Sequence, residues 1–139
     1  MNLEFMKKFK PEELVLKEFN HWIIVLRQKQ LTLGDAVILL KREVPNIADV
    51  APEEFAEFPV AVAWYEQKCR TLFGAEKFNY IAAMMKDNFV HFHAMPRYSE
   101  EKIINGVSWK DEMWPKPIAL KDCETPIDIL YFIRSLFLE

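Results

Sequence analysis

Residues 88–98 read NFVHFHAMPRY, with His91 and His93 two positions apart. Successive side chains of a strand point to opposite faces. Phe89, His91, His93, Met95 and Arg97 therefore share one face, and Val90, Phe92, Ala94 and Pro96 the other. Val90, Phe92 and Ala94 make a core face. The face with two histidines and an arginine is then the polar, ligand-accessible one. Three readings fit the pair. The plainest is two histidines decorating a half-exposed strand, the commonest case for an isolated His-x-His. A metal site needs a third or fourth ligand. His21, the only other histidine, falls in a different predicted strand, and the next acids are Glu100 and Glu101, which argues against metal. The third reading is nucleophilic catalysis. A neutral imidazole attacks phosphorus when its other ring nitrogen is held by an acceptor, and neighbouring donors take the charge on the phosphoryl oxygens. His93, Lys86 in the adjoining turn and nearby asparagines are such donors.

Working outward, KFNYIAAMMKDNFVHFHAMPRY reads as a hairpin turning near Asp87-Asn88, both favoured in turns. ELVLKEFNHWIIVLRQKQ, rich in Val, Ile, Leu, Phe and Trp, reads as one or two strands. LGDAVILLKR follows Gly34 as a largely apolar and therefore central strand, with Asp35 as a turn residue. APEEFAEFPVAVAWYEQKCRTLFG predicts a helix, with Pro52 in its first turn, acids after it and Gly74 as its stop. Phe55, Phe58, Val62, Tyr65, Cys69 and Leu72 recur at steps of three and four, an apolar stripe facing the sheet. Pro59 is discordant and would bend the first turns. SEEKIINGVSWKDEMWPKPIALKDCE reads as a loose stretch whose Trp109, Asp111 and Trp114 either clamp the tail over the sheet or form an interface. TPIDILYFIRSLFLE predicts an amphipathic C-terminal helix with Pro126 near its start. Strands, a helix, a hairpin, a tail and a helix make an α+β chain: a mainly antiparallel sheet with a helix on one face.

Composition narrows the function classes. The 139 residues suit one domain, and 51% hydrophobic with 28% charged excludes a disordered chain. The net charge of −3 argues against general nucleic-acid binding. Cys69 and Cys123 make no disulfide framework, so a reducing cytoplasm is expected. The start, MNLEFMKKFKPEE, meets charge and proline before any apolar run, which is not the pattern of a secretory signal. No stretch is apolar enough to span a bilayer, so no membrane partner is expected.

NYIAAMMKDNFVHFHAMPRY resembles the signature of the histidine triad (HIT) superfamily of nucleotide hydrolases and transferases, His-x-His-x-His with apolar x, often followed by Ile-Pro-Arg. The resemblance runs over about residues 14 to 98: a strand with Arg27-Gln28, a turn glycine, an apolar strand ending in Lys-Arg, a helix opening on Glu-Glu, then a strand bearing Asn79. MMKD before the motif and WKDEMWP after it are similar to a bacterial subgroup resembling diadenosine tetraphosphate hydrolases. It implies one HIT-like domain over 1–139, with about five strands, a core of about 10–100 and a tail over 101–139.

Aligned on Pro96-Arg97, the resemblance puts the family's middle histidine, its nucleophile, on His91 and the third, beside the phosphates, on His93. The first place is Phe89, so the triad is a dyad. Met85 stands near the place of a family glutamine, and Lys86 after it would replace that contact with a charge suited to phosphate. Asn79 matches a phosphate-side or ribose-side asparagine. A two-residue turn at Asp87-Asn88 would put it on the face opposite His91, whereas a three-residue turn or a bulge restores the same face. Arg27 occupies the place of the ribose-binding Asn or Asp but accepts no hydrogen bond, leaving Gln28 to take over. Phe19, Trp22 and Leu26 are the family's base-wall region and, read plainly, core. The implied ligand is a nucleotide or dinucleotide. No cofactor is required, though a divalent cation can accompany the nucleotide, and a homodimer extends the sheet. Two rivals stand beside the hydrolase: a nucleotide-binding or sensing module with little turnover, motivated by Phe89 and Met85, and a metal-dependent strand-histidine protein.

Overall fold

The computed structural model describes residues 11–139. The charged start that argues against a secretory signal lies mostly outside the described residues. A short helix, α1 (Pro11–Leu14), leads into β1 (Val15–Glu18), β2 (Trp22–Leu26) and β3 (Ala36–Leu40). A 3-10 turn at Ile47–Asp49 precedes the long helix α2 (Pro52–Phe73). Then come β4 (Lys77–Ile81), β5 (His91–Arg97), β6 (Lys102–Ile104), β7 (Val107–Trp109) and α3 (Ile127–Phe137). The main sheet is antiparallel with strand order β1-β2-β3-β5-β4. It is the expected α+β sheet of five strands with a long helix and a C-terminal helix. Every residue of β2 and β3 is buried, as continuous apolar runs require at the centre of a covered sheet.

Strand pairing sorts the side chains into two faces. Trp22, Ile24 and Leu26 stand level with Leu40, Ile38 and Ala36, and the last two with Phe92 and Ala94. This face carries α2. Trp22 lies 4.8 Å from Phe58 and 6.0 Å from Phe55, ring to ring, and Phe58 lies 4.7 Å from Phe92. The opposite face carries Ile23, Val25, Val37, Leu39, His91 and His93.

Helix α2 begins at Pro52 and ends at Gly74, which is left-handed at φ 73°, a conformation glycine adopts without strain. The helix runs on through Pro59. Its buried stripe is Ala61, Tyr65, Cys69 and Phe73, so the expected stripe is rotated: Phe55, Phe58, Val62 and Leu72 are only half-buried. The small Ala61 takes the position beneath the helix axis, and the two phenylalanines wrap the rim around Trp22. Glu54 is buried in the first turn. Its carboxylate accepts from the Ala51 amide (2.7 Å) and from Arg42 (2.8 Å), whose guanidinium holds the carboxyl below the usual range. Tyr65 donates to the carbonyl of Gly34 at 2.5 Å and thereby ties α2 to the β2–β3 turn. Gly34 itself has φ 96°, and a Cβ there would meet the Phe73 ring at 3.3 Å and the Cys69 sulfur at 3.5 Å.

The turn is built around Asp35, a fully buried carboxylate that accepts from the amides of Leu31 (2.8 Å) and Thr32 (3.1 Å) and from the Thr32 hydroxyl (2.5 Å). The expected turn role is thus met. Burial pushes its pKa up to about 7, against the pull of the Thr32 and Leu31 donors and of Arg27. A carboxyl that is a weaker acid when folded stabilises the fold fully only below its ordinary value of 3.8, and that contribution fades as pH rises through about 7. The unfolding free energy from urea titration should therefore fall between pH 6 and pH 8 by about 1 kcal/mol more in the wild type than in Asp35→Asn. Equal slopes in the two proteins would place the titration elsewhere.

The tail is not loose. Asn105 (φ 49°) and Gly106 (φ 80°) form a two-residue turn between β6 and β7. Asn-Gly between apolar runs is a strong hairpin signal, and IINGVSW carried it. Helix α3 buries Ile129, Leu130, Ile133 and Phe137 as expected, with Phe137 stacked on Tyr65. Arg134 donates to the Val15 carbonyl of the edge strand β1. Among the described residues no helix is long and apolar enough to cross a membrane.

Candidate functional site

Strand β5 lies between β3 and β4, so His91 and His93 sit inside the sheet rather than at its rim. His91 faces Leu39; His93 faces Val37 on one side and Ile81 on the other. Ile23 and Val25 lie one strand further on the same face. The imidazoles therefore stand on an apolar floor, where electrostatic interactions are strengthened. Their ring centroids are 5.1 Å apart and nearly perpendicular. The Nδ1 of His91 lies 2.7 Å from the carbonyl oxygen of Phe89. A carbonyl only accepts, so Nδ1 carries the proton and Nε2 carries the lone pair.

Asn79 pairs with Met95, which places it on the face of the histidines. The expected tight turn at Asp87-Asn88 is replaced by a long connection over 82–90, and that connection sets the register. The Oδ1 of Asn79 accepts from Arg97 (2.6 Å) and from the Ile118 amide (2.9 Å). Lys86 is exposed in the same connection. Arg27 is held at the β2–β3 turn, donating to the Lys29 carbonyl at 3.0 Å and standing 3.8 Å from Asp35. Gln28 beside it is half-buried.

Three expectations are corrected. Leu26 is fully buried and belongs to the α2 face, as does Trp22; neither can wall a ligand at the histidines. Phe19 packs edge-on against Trp64 of α2. The apolar residues beside the pair are instead Ile23, Val25, Val37, Leu39 and Ile81. They are set by the pairing of β3 and β4 with β5, in which Leu39 stands level with His91 and Val37 and Ile81 with His93, and aromatic bulk is no guide to which face a residue takes. Third, the histidine face is not open along its length: His91, Met95 and Arg97 are buried, and His93 is half-buried. Arg97 donates to both oxygens of Asp111, at 2.5 and 3.0 Å. Trp109 donates to the Gln30 carbonyl at 2.9 Å, and the Gln30 amide donates to Thr125 at 3.1 Å. Lys29 pairs with Asp122. Of the two roles left open for Trp109 and Asp111, the clamp is the one realised, and Gln30 is the partner that sequence alone did not single out. Among the described residues no three His, Cys, Asp or Glu side chains gather as a metal-ligand set.

No family model and no curated protein matches the chain. Solved structures do. A histidine triad protein from Sinorhizobium meliloti superposes with a TM-score of 0.74 at 14% identity, covering 99% of this chain and 94% of that one. A hypothetical histidine triad nucleotide-binding protein from Sulfolobus tokodaii gives 0.71 at 12% identity, covering 97% and 89%. A Hit-like protein involved in cell-cycle regulation from Bartonella henselae gives 0.68 at 18%, covering 99% and 94%. With a five-stranded antiparallel sheet, a long helix on one face and the two histidines on the other, the chain has the histidine triad fold.

Proposed function

We propose that the protein is a HIT-type nucleotide hydrolase or transferase acting at the α-phosphorus of a dinucleoside polyphosphate or related nucleoside phosphate derivative. The observation that carries this reading is the hydrogen bond from His91 Nδ1 to the Phe89 carbonyl, which leaves Nε2 as a nucleophile of defined tautomer. Nε2 attacks the α-phosphorus, a P–N bond forms, and the P–O bond to the leaving phosphate breaks with its electron pair. Water then cleaves the P–N bond, releases the nucleotide and returns His91 to its neutral form. His93, at right angles to His91, stands beside the phosphoryl oxygens. Lys86 is the further donor, and Gln28 or Arg27 reaches the ribose; Asn79, level with Met95 and bonded to Arg97 and the Ile118 amide, lies too far along β5 to touch the phosphorus that His91 attacks. The reading carries with it one HIT-like domain over 1–139, a cytoplasmic setting and a two-fold homodimer. The position of β4 at the end of the sheet, where a partner strand could be added, supports the homodimer.

Incubation with diadenosine tetraphosphate or adenosine phosphoramidate, quenched without acid, should give an intact-mass adduct of one nucleotidyl group on His91. An adduct elsewhere, or turnover that needs a transition metal, would sink the proposal. A second reading, a nucleotide-binding module with little turnover, is favoured by Phe89 in the first histidine's place and by the burial of His91. Tight AMP binding without adduct or turnover would select it.

Phe89 separates two roles at one position. Its carbonyl orients His91, and any residue provides a carbonyl. Phe89→His should therefore leave the melting temperature within a few degrees and leave activity unchanged or raised. A collapse in stability would make the Phe89 ring part of the core.

A further inference from the structure

Trp109 and Asp111 clamp the tail, whereas Trp114 lines a cavity of about 190 Å³ together with Lys77, Asn79, Arg97 and Lys116. The cavity lies on the histidine face, where Lys77 stands level with Arg97 and Asn79 with Met95. At about 3.3 Å per residue, these levels are about 20 and 13 Å from His91 along β5. Met95 is buried between them and the histidines, so a ligand here is separate from one at His91. Pockets that enclose a drug-sized ligand run to about 300–1,000 Å³, and this smaller cavity suits a small one. The tail over it is anchored at both ends. Asp111 meets Arg97 through two nitrogens, and the Ile118 amide donates to Asn79 Oδ1 at 2.9 Å. Between these anchors Pro115 and Pro117 have fixed φ angles, and the Lys116 amide donates to the Met113 carbonyl at 2.7 Å. Trp114 and Lys116 are thus presented from a stiffened loop.

The polar side chains of the lining are donors. Lys77 and Lys116 bring two ammonium groups, and among the described residues neither pairs with a carboxylate. The acids nearest them in the chain are engaged: Glu76 accepts from Ser99, and Asp111 from Arg97. The Oδ1 of Asn79 accepts from Arg97 and from the Ile118 amide, which sets the orientation of the amide and leaves Nδ2 to donate. The Arg97 guanidinium has five N–H groups, of which three are used on Asp111 and Asn79. A cavity lined by donors and carrying two ammonium groups takes an anion. We propose that it is a phosphate-group site, separate from the histidine pair, in which Lys77, Lys116 and the Asn79 amide hold the oxygens. The phosphate is free or is carried on a small planar ring, and the half-buried indole of Trp114 is the surface that a ring would pack on. Lys77 belongs to β4 and Lys116 to the tail, so a bound phosphate bridges the two. This site does not depend on the nucleotide reading.

Calorimetric titration of the full chain with inorganic phosphate and with phenyl phosphate, at constant ionic strength, tests the site. Both should bind saturably. That binding should weaken at least about tenfold in Lys77→Ala/Lys116→Ala, as loss of charged donors does, and persist in Lys86→Ala/His93→Ala. Phenyl phosphate that binds about fivefold more tightly than phosphate, with the excess lost in Trp114→Ala, supports a ring ester as the ligand. Equal binding of the two supports the free ion. Both lysines are exposed, so the double variant should melt within a few degrees of the wild type in phosphate-free buffer. Saturating phosphate should then raise the melting temperature of the wild type and leave that of the double variant unmoved. Binding that is absent, that is unchanged in the lysine variant, that is lost with Lys86 and His93, or that chloride reproduces overturns the site. Failure of the histidine chemistry leaves each of these results as it is, so the two readings fail separately.

Discussion

Replacing His91 by alanine is expected to lower kcat/KM for diadenosine tetraphosphate by about 10⁴-fold, the scale on which loss of a covalent nucleophile is felt. The loss should be the same with and without chelator, because the proposed nucleophile is an imidazole and not a metal-bound water. AMP binding should persist, since the proposed ribose contacts, Gln28 and Arg27, and the phosphate donors His93 and Lys86 are left in place. His93→Ala should cost less, about 10²-fold, as loss of one donor to the phosphoryl oxygens does. Turnover that survives His91→Ala within tenfold would remove the nucleophile from the proposal, and parallel losses in binding and turnover would point to a damaged fold.

Asp111→Ala is expected to be the most destabilising single change outside the hydrophobic core. The side chains of Arg97 and Asp111 are 3% and 1% exposed, and the carboxylate meets the guanidinium through two nitrogens. Among the described residues, removing the carboxylate leaves a buried cation with its bond to the Asn79 oxygen. Breaking a buried pair in this way costs about 3–5 kcal/mol, a large share of the roughly 5–15 kcal/mol that holds a domain together. The melting temperature should fall by about 10 °C. Removing both charges is a different operation, because no uncompensated ion remains. Arg97→Met/Asp111→Leu should regain most of the loss. A single variant costing less than about 1 kcal/mol would mean that water reaches Arg97 when Asp111 is gone. The tail would then be held chiefly by Trp109 on Gln30.

Much of the architecture was legible in the chain because it follows from local rules. Alternation in NFVHFHAMPRY assigned Phe92 and Ala94 to the helix-covered face and the histidines to the other. AVILL, apolar throughout, announced a central strand, and Pro52 and Gly74 bounded the long helix. Two local signals are less plain. Asn105-Gly106 is a hairpin turn inside a stretch that otherwise reads as loose chain, and alternation along β2 groups Leu26 with Trp22 without saying which face of the sheet they take. Other features had no local signal. The face of Asn79 depends on the register across the 82–90 connection, which a one-residue slip would reverse. The burial of Arg97 depends on Asp111, fourteen residues away and beyond a separate hairpin. Periodicity within a strand tells which side chains share a face. Which segment comes to cover that face is settled only when the whole chain packs and every buried charge must find its partner.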